Sequence, residues 1–150
     1  MARFTHRYPL NVAGRFYIDD QCTDCDLCRE CAPNNIRRDD RMGQSYVFKQ
    51  PETEEEISAC MEGVQGCPTE AVGADGDRFD WLTTPIIDWH TISGLYDRTA
   101  VEFDIVAPII PYSETLAEEE RDRAAWRASR PQPSSFQRVV SYFKGTDSKP

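Results

Sequence analysis

Histidine is almost absent from this 150-residue chain. Only His6 and His90 occur, and neither follows a Cys-x-x-Cys pair, so covalent haem attachment has no basis. Basic residues are in the minority: 17 Lys and Arg stand against 26 Asp and Glu, a net charge of −9. No Lys/Arg cluster offers the counterion release on which nucleic-acid binding runs, and no nucleic-acid partner is expected. Apolar runs are short. The longest, residues 105–110, is six residues and includes a proline, against roughly 18 needed to cross a bilayer, so no membrane span is expected. The first 20 residues carry Arg3, Arg7 and Arg15 without the apolar centre of a secretion signal, which points to the cytoplasm. There is no glycine-rich nucleotide loop and no Ser, His, Asp set that one sequence can promote to a triad, so catalysis is not indicated. Asp75, Asp77 and Asp80 miss the calcium-loop spacing and read as a plain turn.

Cysteine is what the chain has in excess: six, five of them between Cys22 and Cys60. A reducing compartment favours metal ligation over a disulfide framework. Cys22, Cys25, Cys28 and Cys31 are each separated by two residues, and Gly66-Cys67-Pro68 follows far along the chain. Three thiolates so spaced wrap a loop around one face of an iron–sulfur cube, each taking one iron, and the fourth iron needs a remote ligand. Cys67 fits that need, because the Pro68 ring fixes the turn and withholds an N–H where the chain leaves the cluster. Zinc is the chemical rival, since four thiolates also make a closed tetrahedral site, but zinc sites usually present two separated pairs.

Residues 15–19 read as a strand entering a turn, 45–49 as a second strand and 51–64 as a helix with Ile57, Cys60, Met61 and Val64 on one inward face. Ala71-Val72 gives a brief strand and Asp75-Gly76 a turn. Cysteine then vanishes near Asp80, while Trp81, Trp89 and Trp126 appear. Residues 80–150 are accordingly expected to be an extension. Within it, residues 101–105 alternate apolar and acidic like a half-buried strand. Residues 113–130 read as a charged helix capped by Thr115, and Phe136, Val139, Val140 and Phe143 form a stripe on a last helix.

From Arg15 to about Gly76 the chain resembles the bacterial-type ferredoxins, through Cys22-Thr23-Asp24-Cys25-Asp26-Leu27-Cys28 and Gly66-Cys67-Pro68-Thr69-Glu70-Ala71-Val72. Two-cluster members carry a Cys before the first proline and a second full run. Here Ala32 precedes Pro33, Ile57 and Gly63 stand where further ligands would be, and Cys31 is one residue out of register. The resemblance implies a single-cluster member: one 4Fe-4S cube on Cys22, Cys25, Cys28 and Cys67. By the same resemblance Cys31 and Cys60 pair as a disulfide where the second cluster was lost, with two buried thiols as the alternative.

The implied fold is α+β: a ferredoxin-like iron–sulfur domain over residues 1–79 and a C-terminal interaction extension over residues 80–150. The implied function is one-electron transfer between a redox donor and acceptor. A fixed iron–sulfur subunit of a larger oxidoreductase or photosynthetic complex, docked through residues 80–150, is the alternative, and a zinc-bound interaction module the rival of another class. Asp24, Asp26 and Glu30 beside the ligands are expected to disfavour the reduced cluster and lower its potential. The run Glu52, Glu54, Glu55, Glu56 reads as a solvated helix face, with a docking face for a basic partner as the alternative.

Overall fold

In the computed structural model, residues 1–96 and 101–129 are described, and the chain divides into two compact units, Met1–Thr115 and Leu116–Pro150. The first unit holds two apolar cores. In the first core, β1 (Tyr17–Ile18) pairs antiparallel with β4 (Val72–Gly73), Tyr17 opposite Gly73 and Ile18 opposite Val72. Glycine is required there, because a Cβ at Gly73 would lie 2.3 Å from the Tyr17 ring. Between these strands come α1 (Leu27–Cys31), the hairpin β2 (Ile36–Asp39) and β3 (Gln44–Val47), and α2 (Glu54–Gly66). Thr53 caps α2: its hydroxyl accepts the Glu56 N–H at 3.2 Å, while the Glu56 carboxylate accepts the Glu52 N–H at 2.8 Å. Three glutamates in the first turn suit the positive end of the helix. Phe16, Ile18, Cys28, Ile36, Val47, Cys60 and Val72 pack together beneath these elements, with Met61 and Val64 at the margin. Cys60 points inward with no exposure, as the helical spacing requires.

The second core is built from the N-terminal segment and from residues 80–115. Tyr8 packs with Ile86, Ile87, Trp89, Ile92, Val101 and Phe103. Strand β5 (Ile86–Ile87) runs parallel to β6 (Ile109–Ile110), joined through α3 (Trp89–Tyr96). The Trp89 indole N–H donates to the Arg7 carbonyl at 2.9 Å, and its ring meets Tyr8 edge-on with centroids 4.9 Å apart. Arg7 is itself buried, and among the described residues no carboxylate is in hydrogen-bond contact with it. Its guanidinium donates to the carbonyls of Phe4, Pro85, Trp81 and Thr84 at 3.0–3.1 Å and lies 4.3 Å from the centre of the Phe4 ring. Burial lowers its pKa to about 10, so it stays charged at neutral pH.

These contacts revise three expectations. The boundary between the compact units falls at 115/116 and not at 79/80, because Tyr8 and Arg7 tie residues 81–103 to the start of the chain. Residues 101–105 form no strand: Val101 and Phe103 are buried and Glu102 and Asp104 exposed, so the alternation reports burial without a hydrogen-bonded ladder. Thr115 is not a cap, since α4 (Tyr112–Ser129) begins three residues earlier and Thr115 is buried within it. Past the boundary, in the second unit, α4 continues as a charged helix on which Glu119 pairs with Arg123 at 3.2 Å. The stripe Phe136, Val139, Val140 and Phe143 lies outside the described residues. Among the described residues no helix is long and apolar enough to cross a membrane.

Asp39 closes the first unit from below. The Arg41 guanidinium grips its two oxygens at 2.8 and 2.7 Å, and the buried Tyr8 hydroxyl donates to it at 2.8 Å. Chiefly through Arg41, against the effect of burial, these bonds hold the carboxyl below its ordinary value. A depressed carboxyl stabilises the fold above its unfolded pKa of about 3.9 and loses that contribution as pH falls through the folded value. Asp39→Asn should therefore cost about 1–3 kcal/mol at pH 7. It should also flatten the acid side of the stability profile in urea melts read by tryptophan fluorescence. Equal losses on acidification in both proteins would contradict this.

Candidate metal centre

The loop from Cys22 to Cys28 curls because two non-glycine residues in it, Asp24 at φ 56° and Asp26 at φ 72°, adopt the left-handed conformation. Such residues cost about 1–2 kcal/mol each and persist only where surrounding bonds hold them. The Cys22 N–H donates to the Asp19 carbonyl at 3.3 Å, anchoring the loop on the end of β1. Cys28 sits in α1 beneath α2, whose Gly63 permits the close approach: a Cβ there would lie 3.3 Å from the Cys28 Cβ. The remote segment then returns through Cys67-Pro68 to β4.

These elements bring Cys22, Cys25, Cys28 and Cys67 to one narrow cleft. Ile18, Ala71 and Val72 form its apolar wall, and Thr23, Ser45 and Thr69 add hydroxyls. Cys31 and Cys60 do not line it. Burial foremost pushes the Cys28 thiol up to about 11, the nearby Cys22 and Cys67 add to this, and the Ser45 hydroxyl and Arg29 oppose it. Burial alone would raise Cys67 as well. Its sulfur, however, is met by the Thr69 hydroxyl at 3.6 Å, the Ala71 N–H at 3.3 Å and the N–H groups of Thr69 and Val72, which together hold it below the ordinary thiol value. Metal ligation requires thiolates, so this turn favours the ligating form of Cys67 in advance. Hydrogen bonds to cysteine sulfur also set the potential of a bound cluster.

The aspartates beside the ligands are not bare charges. Arg29 donates to Asp24 at 2.7 Å and to Asp26 at 2.6 Å, and Arg38 of β2 reaches Asp24 at 2.8 Å. Arg38 foremost, with Arg29, holds the Asp24 carboxyl below its usual range. Of the three acids beside the ligands, Asp24 and Asp26 are paired with arginine, while Asp26 and Glu30 are exposed to solvent. Sequence inspection missed Arg38 because it lies 14 residues from Asp24, and only the folded position of β2 brings it there.

Residues 18–74 match the family model of the 4Fe-4S single cluster domain of ferredoxin I. Over this segment the chain is similar to ferredoxin-type 4Fe-4S domains, and the match covers both the curled loop and the Cys67 turn. No curated protein matches the chain. The donor chemistry fits such a cluster: four thiols on one partly apolar cleft, one of them already held toward thiolate.

Cys31 and Cys60 lie outside the cleft, and all six cysteines carry free thiols in the structure. Cys60 is fully buried in the first core, and burial with the nearby Glu56 charge pushes its pKa up to about 11. Cys31 instead lines a shallow cleft with Asn34, Glu55, Glu56 and Ala59. Alkylation without reductant should label Cys31 in the native protein and Cys60 only after unfolding. Both sites resisting label in unfolded, unreduced protein would show that they are joined.

Proposed function

We propose that the chain is a one-electron carrier that holds a single 4Fe-4S cube on Cys22, Cys25, Cys28 and Cys67 and passes electrons between larger redox proteins, without substrate chemistry of its own. The observation that carries this reading is the sorting of six cysteines, four onto one cleft and two away from it. Too few thiols remain for a second cube. When bound, the cube supplies two oxidation states differing by one electron spread over four irons. The chain's part is to fix the ligands, screen one side with Ile18, Ala71 and Val72, and direct hydrogen bonds at Cys67. A lone zinc is supported less well. Tetrahedral bonds of about 2.3 Å gather sulfurs tightly, and among the described residues no three Cys, His, Asp or Glu are close enough to hold a single metal ion.

A fixed subunit of a larger redox complex is the second reading, favoured by Leu82, Leu95 and Val106, which stay 62–75% exposed outside the cysteine-bearing segment. Reductive titration of the purified protein under anaerobic conditions tests the carrier: one reversible one-electron step is expected, and no reversible step rejects it. Reduction of the isolated monomer by a ferredoxin reductase favours the diffusing carrier. Purification as a stable assembly favours the subunit.

A further inference from the structure

Two arginines stand beside the ligand loop, and their bonds have a consequence for how easily the centre takes an electron. Arg29, the residue after Cys28, donates to Asp24 Oδ1 at 2.7 Å, to Asp26 Oδ1 at 2.6 Å and to the Ser45 hydroxyl at 2.5 Å. Ser45 is buried on β3 and lines the same cleft as Cys28. From the opposite side, Arg38 on β2 forks onto Asp24, Nε to Oδ2 at 2.8 Å and to Oδ1 at 3.1 Å and Nη2 to Oδ2 at 2.8 Å, and it also pairs with Asp40. Asp24 is only partly exposed, so its carboxylate is gripped from two sides within the Cys22-x-x-Cys25 interval. It is also one of the two left-handed residues that give the loop its curl.

We propose that Arg29, Asp24 and Arg38 form a clamp that sets the cluster's potential: the arginines cancel the aspartate charge beside the ligands and so make the centre easier to reduce than the acidic loop alone would allow. The proposal rests on the carrier reading above. Reduction adds one negative charge to the cluster, so a nearby cation favours the reduced state and a nearby anion disfavours it. Arg29 and Arg38 carry two positive charges that offset the two of Asp24 and Asp26, so the surroundings of the loop, with Glu30 and Asp40 still negative, are less acidic than the sequence alone reads. Ser45, which accepts from Arg29, carries the same network to the wall of the cysteine cleft. All three members of the clamp are positioning residues; none is offered as a ligand.

The test is the midpoint potential of the cluster-bearing protein at low and high salt. Arg38→Gln removes one positive charge and leaves Asp24 to Arg29 alone, and is expected to lower the potential. Asp24→Asn removes one negative charge beside the ligands, with Arg29 still on Asp26 and Arg38 still on Asp40, and is expected to raise it. The double variant is expected to return towards the wild-type value. Each single shift should correspond to about a two- to fourfold change in the reduction equilibrium, as Coulomb's law gives for a unit charge about 10 Å away at an effective dielectric constant of roughly 40–80. It should shrink as salt is raised. A latch that merely held the loop would give no such opposition of sign: both single variants would lose cluster faster, and their potentials would be unmoved or would move together. Either result overturns the proposal. Should Arg38→Gln fail to hold a cluster, Arg38→Lys keeps the charge without the fork and is expected to show the wild-type potential with faster cluster loss; a lowered potential in that variant also overturns the proposal. Wild-type protein without iron and sulfide would overturn the carrier reading instead, whereas an intact wild-type cluster with potentials insensitive to these charges would overturn the clamp alone.

Discussion

Cys67→Ala is expected to abolish assembly of a stable cube, with loss of the brown colour and of nearly all bound iron. Cys31→Ser and Cys60→Ala should leave iron content unchanged. The asymmetry follows from placement. Cys67 is the single cleft cysteine contributed from outside the loop, and without it one iron has no protein sulfur. Its surroundings are also the most committed to ligation, because the Thr69 hydroxyl and three backbone N–H groups converge on its sulfur. Folding of small metal domains is coupled to metal binding, and the same variant should therefore unfold at lower denaturant than the loaded wild type. Iron analysis with visible absorption checks this. Retention of a full cluster by Cys67→Ala would mean that a different residue supplies the fourth ligand.

The second large effect concerns Trp89. Trp89→Ala should destabilise the protein by about 3–5 kcal/mol, the range for truncating a large buried aromatic, while leaving the spectrum of the assembled cluster unchanged. Its ring is 3% exposed, packs edge-on against Tyr8 and donates to the Arg7 carbonyl, so the cavity would open in the second core and not at the metal centre. A residue whose role was to meet a partner would behave in the opposite way, with unchanged melting and weakened association. Denaturant unfolding of both proteins decides between these outcomes. Unchanged stability in Trp89→Ala would restore residues 80–115 to the status of an appendage.

The gathering of four cysteines on one cleft was legible in the residues because their spacing is local: Cys22, Cys25 and Cys28 can meet on one loop whatever the rest of the chain does, and Cys67-Pro68 marks the remote return. The inward face of α2 was legible for a similar reason, since Cys60, Met61 and Val64 recur at helical spacing. What failed to show depends on distant partners. Strands of two residues, such as β5 and β6, carry too few positions for any period to appear. Strand β2 alternates no apolar face, since only its end residues Ile36 and Asp39 are buried. Residues 80–115 looked like an extension because their packing partner, Tyr8, lies at the other end of the sequence. The acidic loop read as more electronegative than it is for want of Arg38, which β2 places against Asp24.

The most direct test of the account is the iron, acid-labile sulfide and zinc content of anaerobically purified protein, with electron paramagnetic resonance after reduction. The account predicts about four irons and four sulfides per chain, no stoichiometric zinc, and the signal of one reduced cube. Stoichiometric zinc without sulfide, or iron and sulfide for two cubes, would contradict it.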